Sequence, residues 1–252
     1  MEKKLIIDLD RMKKIAASRR TTRFYEILEE FLPRAFIDQA LAEYAKNDAA
    51  HLEDHAINVV LHAEEIIDRF PELRKHRWAI LTAALLHDVK CHVNRDKHHI
   101  LGALAVYRGY IREYQQTRSI FFNEEITMIE EAVLEHRASW KHKRSHDVSE
   151  CVAAADRGKP ELFSYLRRAV RYRYAQLAEG AVLSEEIKVT IISDSLVHMR
   201  EKFGENGYAW VTMPKYTLLM YEANIAEMKA AVHANLCATF DKAMEMFDSW
   251  II

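Results

Sequence analysis

The sequence predicts an all-α protein, and three observations predict it. Only 6 Gly and 4 Pro occur among 252 residues, while strands and tight turns depend on Gly, Pro, Asn and β-branched residues. Ala, Glu, Leu, Lys and Arg, which favour helices, dominate the chain. Apolar residues recur every three or four positions over long segments, the period of a helix with one face in a core. Half of the residues are apolar, enough to fill one large domain or two small ones. The expected organisation is a single domain over residues 1–252. Its core lies at about 50–160, after a helical lead-in at 1–49 and before a C-terminal helical elaboration at 161–252.

The lead-in carries Ile6, Leu9 and Met12 on one face, then Phe24, Ile27, Leu28, Phe31 and Leu32 at helical spacing. Pro33 interrupts, Phe36 to Tyr44 resumes the pattern, and Asn47-Asp48 marks a boundary. No chemistry is expected from this part. His51 to Phe70 reads as a helix with Val59, Val60, Ala63, Ile66 and Ile67 inward and His55 and His62 two turns apart; Pro71 ends it. Arg74 to Asp88 is the next helix, followed by a polar connector and a helix over His98 to Tyr114. There Gly102-Ala103 lets a neighbouring helix approach closely. Glu124 to His136 buries Ile126, Ile129, Ala132 and Val133 and ends in a histidine. Ser149 to Arg157 is a short helix. Beyond Pro160 a segment rich in Arg runs from Leu162 to Leu177. Glu185 to Phe203 suits a helix, although Val189 to Ile192 also suits a strand. Gly204 to Thr212 is a loop or short hairpin, and Lys215 to Trp250 is one long helix or two.

Charge and cysteine usage exclude several classes. The net charge is −2, so no overall cationic field favours nucleic acid. Three widely spaced cysteines make neither a disulfide framework nor a metal motif. The longest apolar run falls far short of the roughly 20 residues needed to cross a bilayer, and no signal peptide precedes the first charged helix. A soluble protein of the cytoplasm is expected, with room for a homo-oligomer.

The chemistry concentrates where Ala79 to Leu86, apolar except for Thr82, runs directly into His87 and Asp88. A helix without a polar face lies in the core. An imidazole and a carboxylate buried at its end cost several kcal/mol unless they are paired or bind a metal. Both are good ligands for divalent transition metals. Successive helical residues point about 100° apart, so His87 and Asp88 can reach one site only near the helix end.

His55, then His87-Asp88, then Asp156 form the ordered pattern H…HD…D, each on its own helix. The local runs Asp54-His55-Ala56-Ile57-Asn58-Val59, Ala84-Leu85-Leu86-His87-Asp88-Val89 and Ala154-Ala155-Asp156-Arg157 resemble the motifs of the HD superfamily of metal-dependent phosphohydrolases. The resemblance covers about residues 50–160. His98, in the arrangement H-x-x-x-G-A with adjacent His99 as its rival, and His136 resemble the additional ligands of two-metal members. It thus implies an all-α core and metal ligands His55, His87, Asp88, His98, His136 and Asp156. It also implies hydrolysis of a phosphate ester or anhydride, expected here to belong to a nucleotide, with Asp88 central to catalysis. The spacing is most similar to bacterial HD hydrolases of diadenosine polyphosphates and less so to HD-GYP phosphodiesterases. It departs from both, because Lys90 stands two rather than three positions after Asp88, Arg137 follows His136 where HD-GYP proteins carry a second histidine, and the Gly-Tyr-Pro signature is missing. Mixed imidazole and carboxylate ligation suits iron or manganese and is compatible with zinc. Alternatives are a di-iron HD-type oxygenase and a non-catalytic nucleotide-binding module.

Two cations flank the motifs, and Lys90 and Arg157 are expected to take part in catalysis and to bind phosphate, with Arg137 as a further substrate contact. Other residues have plainer expectations. His146-Asp147 is an N-cap with a first-turn acid. His51 and His62 lie behind the site or at the surface, and Cys91 and His92 are structural. The Arg167–Arg173 cluster and the basic loop Lys141 to Arg144 read as solvated faces rather than as polyphosphate or nucleic-acid sites.

Overall fold

A computed structural model describes residues 9–48, 51–111, 121–177, 182–233 and 236–251. Ile6 and the helix end expected at 112–114 lie outside them. The described chain is helical, with no strand among the described residues, and no described helix is long and apolar enough to cross a membrane. It divides into two compact units, Met1–Leu134 and Glu135–Ile252.

In the first unit, α1 (Leu9–Glu29) and α2 (Arg34–Tyr44) precede α3 (Glu53–Arg69). Glu53 and Asp54 in the first turn of α3 and Arg69 in its last complement the helix dipole. Pro71 opens a 3-10 turn, Pro71–His76, so α4 begins at Arg77 rather than Arg74 and runs to Leu86. Every residue from Ala79 to Leu86 is buried. At about 1.5–3 kcal/mol for each large aliphatic side chain, Ile80, Leu81, Leu85 and Leu86 anchor this helix without help from its polar end. It packs against α3, which in turn packs against α1 and α2. Next comes the helix expected from His98, continuous over the described residues to Ile111, as α5 (His98–Ala105) followed by a π-turn, Val106–Tyr110. Last is α6 (Asn123–Glu135), which runs up to the second unit.

The second unit opens with α7 (Asp147–Arg157). The His146 imidazole accepts a hydrogen bond from the Ser149 amide at 3.1 Å, the cap expected of the His146-Asp147 pair. α8 (Leu162–Tyr174) and α9 (Glu185–Phe203) follow. The Val189–Ile192 stretch is helical. Ser184 caps α9 through the Ile187 amide, Glu185 and Glu186 fill its first turn, and Ile191 and Ile192 face the core. The 204–212 segment holds a single turn, α10 (Tyr208–Val211), and no hairpin. The C-terminal stretch divides into α11 (Lys215–Met220), α12 (Glu222–His233) and α13 (Leu236–Ile251). Leu166, Val170, Ile192, Phe203, Phe247 and Trp250 are at the centre of this unit's core.

Candidate metal centre

The end of α4 brings four of the expected ligands together within the first unit. Helical hydrogen bonding stops at Leu86, while His87 keeps helical dihedrals (φ −58°, ψ −37°) before the chain turns. His87 and Asp88 can therefore both face the inner end of α3. His87 Nε2 lies 3.1 Å from His55 Nε2 and 3.4 Å from Asp88 Oδ2, and His55 Nε2 lies 3.5 Å from the same oxygen. On the other side of the carboxylate, His98 Nε2 lies 3.0 Å from Asp88 Oδ1. Of the neighbouring imidazoles 98 and 99, His98 is the one on Asp88. His87, Asp88 and His98 are buried, and His55 is half-buried.

Two backbone carbonyls fix which ring nitrogens face inward. His87 Nδ1 lies 2.8 Å from Ala84 O, and His98 Nδ1 reaches Arg95 O. A carbonyl only accepts, so both neutral rings carry their proton on Nδ1. Their Nε2 lone pairs then point at carboxylate oxygens, which are themselves acceptors. A positive charge between them, a proton or a metal ion, reconciles this geometry. Imidazoles that bind a metal hold their other nitrogen in this way, on a carbonyl or a carboxylate.

The donor spacing also suits an ion. Ligands about 2.1 Å from one metal are about 3.0 Å apart at octahedral angles and about 3.4 Å apart at tetrahedral ones. The 3.1, 3.4 and 3.5 Å separations among His55, His87 and Asp88 match this range. Histidine and aspartate groups that could hold a metal ion are thus present. A further group, Asp48, His51 and Cys91, has donor atoms within 4.8 Å of one another. Here Asp48 already binds His51 Nδ1 at 2.7 Å and the Arg95 guanidinium, which fastens the loop behind the site.

Sequence reasoning missed two residues at the end of the lead-in. The Tyr44 hydroxyl oxygen accepts the Asp88 amide at 3.1 Å and sits 3.2 Å from His87 Nδ1. The Asn47 side-chain amide donates to His51 O and Asp88 O at 3.0 and 3.1 Å, and its carbonyl accepts the His92 amide at 2.7 Å. Tyr44 is fully buried and Asn47 nearly so, so these polar groups belong to the site's scaffold and not to a linker. The only advance signal was a Tyr and an Asn closing an amphipathic stretch. Gly102 has its expected role. A β-carbon there would lie 2.9 Å from Val133 Cγ1 of α6, and 3.6 Å from His87 O, an ordinary contact, so the bare backbone lets α5 lie close against α6 beside the end of α4.

The two cations expected to bind phosphate each meet protein groups. Lys90 is ion-paired with Glu43 at 2.8 Å. Partial burial pushes the Glu43 carboxyl up, but hydrogen bonds from Lys46 and Lys90 pull it below the ordinary carboxylate range. In the second unit Arg157 is buried. Its guanidinium donates to Ala209 O, Ala138 O, Thr212 O and the Thr212 hydroxyl at 3.0–3.1 Å. Burial, with Arg144 nearby, pulls its pKa down to about 10. These donors tie the segment after His136 to the end of α7. Arg144 likewise leaves the solvated basic loop: it is buried, donating to Glu135 O and Thr212 O. Arg137 is half-buried beside His136. Buried His136 follows α6, and half-buried Asp156 occupies the last turn of α7. In the Arg167–Arg173 cluster of α8, Arg167, Arg168 and Arg171 are exposed, and Arg173 is half-buried and donates to Ala169 O at 3.3 Å.

Comparison of the chain with known protein families, with curated proteins and with solved structures finds no match.

Proposed function

We propose that the chain is an HD-type metal-dependent phosphohydrolase acting on a phosphate ester or anhydride of a nucleotide. The observation that carries this reading is the convergence of His55, His87 and His98 on the two oxygens of Asp88, with the imidazole protons turned away onto backbone carbonyls. Asp88 offers Oδ2 to His55 and His87 and Oδ1 to His98, so one carboxylate has a side for each of two ions. In this reading His136 and Asp156 complete the ligand set, as the motif order implies.

Iron or manganese is the expected metal, and when bound it supplies water activation at neutral pH and positive charge for phosphoryl oxygens. The chain's own residues do the rest. Tyr44 and Asn47 hold the backbone of Asp88 so that its carboxylate cannot swing away. The Ala84 and Arg95 carbonyls keep the histidine tautomers competent to bind. Arg137 is the remaining candidate contact for the phosphorylated small molecule. Three free cysteines, two of them buried, suit a protein of the reducing cytoplasm.

The test is phosphate release from a panel of nucleotides by protein loaded with iron or manganese. Release that a chelator abolishes and that continues without dioxygen supports hydrolysis. No release from any nucleotide, or release unaffected by chelation, rejects it.

A further inference from the structure

Within the first unit, the turn that ends the lead-in meets the loop that follows α4. The His51 amide donates to Asp48 O at 2.9 Å, so the Asp48 and His51 side chains share one turn. The Cys91 amide donates to Asp88 O at 3.0 Å and closes the turn that leaves the metal centre. Asn47 fastens the two segments together, donating to His51 O and Asp88 O while accepting the His92 amide. As a result a carboxylate oxygen of Asp48, an imidazole nitrogen of His51 and the Cys91 sulfur all lie within 4.8 Å of one another. The donors come from segments about forty residues apart, so no motif announces them in the sequence.

Cys91 is only 5% exposed, whereas the Asp48 side chain is 41% exposed. The group therefore has a soft donor at its inner end and a path from solvent at its outer end. His51 Nδ1 lies 2.7 Å from Asp48 Oδ1, and the other oxygen of that carboxylate is held by Arg95. An imidazole nitrogen and a carboxylate oxygen this close share a proton, whose place an ion can take. Zinc at about 2.1 Å from each would part them to about 3.4 Å, and a zinc–sulfur bond of about 2.3 Å would put the thiolate about 3.6 Å from both. Each change is a shift of roughly 1 Å, within reach of side-chain rotation. Arg95 orients the carboxylate, as groups bonded to a metal ligand do.

We propose that Asp48, His51 and Cys91 form a zinc site separate from the centre at Asp88, with water in the fourth tetrahedral position. The sulfur sets its metal apart. Thiolate with imidazole selects zinc over manganese and magnesium, whereas the imidazole and carboxylate donors around Asp88 suit iron or manganese. On binding, the Cys91 thiol gives up its proton to solvent. The bound ion clamps the end of the lead-in to the loop after Asp88. His51 also rests edge-on against His55, with ring centres 5.6 Å apart, and Arg95 O accepts from His98 Nδ1. The clamp thus supports two imidazoles of the neighbouring centre. The proposal does not depend on the phosphohydrolase reading.

The experiment titrates the reduced, metal-free full chain with cobalt(II), a spectroscopic stand-in for zinc. A cobalt–thiolate bond gives an intense charge-transfer absorption in the near ultraviolet that imidazole and carboxylate ligands do not give. Wild type should develop this band, and equimolar zinc should bleach it. Asp88→Ala, which lacks the neighbouring centre, should keep the band, and Cys91→Ala should lose it. No band in wild type, a band that zinc leaves in place, or a band that survives in Cys91→Ala overturns the proposal. Loss of the band from folded Asp88→Ala assigns the thiolate to the centre at Asp88 and overturns a separate site. Should Cys91→Ala fail to fold, His51→Ala reports instead. The cobalt affinity read from the band must then fall about 10-fold or more, and an unchanged affinity overturns the proposal.

Discussion

Asp88 is held from behind as firmly as it is faced from in front. Its amide donates to the buried Tyr44 hydroxyl, so Tyr44→Phe leaves a buried N–H without its acceptor. The expected cost is about 1–3 kcal/mol in urea unfolding, together with a metal affinity lowered about 10-fold, the low end for losing a group that orients a ligand. Unchanged affinity in a titration with manganese would separate Tyr44 from the site. Arg157 makes the opposite prediction to that of a phosphate ligand. Arg157→Met removes the side-chain donor of Ala209 O and one of two donors each to Ala138 O and Thr212 O, so it should destabilise the chain by about 1–3 kcal/mol. Lys202, in the last turn of α9, gives a pH signature, because partial burial penalises its ammonium form. The unfolded chain keeps this proton to about pH 10.5, whereas the folded chain releases it near pH 8. Between these values the unfolded state binds more protons, so the Lys202 contribution to stability rises with pH. Wild type should therefore gain on Lys202→Met between pH 7.5 and 10 in urea midpoints, and a constant gap would show that the ammonium titrates normally.

At the scale of elements, the close approach of α5 to α6 turns on a single missing methyl group. Gly102→Ala gains about 1 kcal/mol of helix propensity but must displace Val133, a steric cost of about 1–3 kcal/mol. The net loss expected in thermal melting is about 1 kcal/mol. Gly109→Ala is the control, because a β-carbon there meets nothing within 4 Å, and it should be neutral or stabilising. This close approach was legible in the sequence, as were α3, α6 and α7, since each has an apolar stripe at helical spacing with an acid, cap or proline at its ends. Less legible were α4's late start, set by a 3-10 turn after Pro71, and the π-turn after Ala105. Neither leaves a mark in hydrophobic periodicity. The Val189–Ile192 run was ambiguous because a short β-branched stretch suits strand and helix alike, and the Ser184 cap decided it.

For the whole molecule, the positions of His55, His87, Asp88 and His98 could be read from motif order, but their supports could not. Tyr44 and Asn47 come from a segment that carries no motif, and reach Asp88 across more than forty residues of chain. The fates of Lys90 and Arg157 were hidden for a similar reason. A cation beside a ligand in sequence gives no sign that Glu43 or a set of carbonyls stands at its head in the fold. The chain divides into two compact units, and the second builds an apolar core of its own. The central claim is that the polar end of α4 is a metal centre, and elemental analysis of wild type and Asp88→Ala tests it most directly. Wild type, dialysed after exposure to iron or manganese, should retain at least one ion per chain, and two if both sides of Asp88 are used. Asp88→Ala should retain none while keeping its helical circular dichroism, since the Ala79–Leu86 packing is untouched. Wild type that folds fully yet retains no ion, or Asp88→Ala that retains as much as wild type, would contradict it.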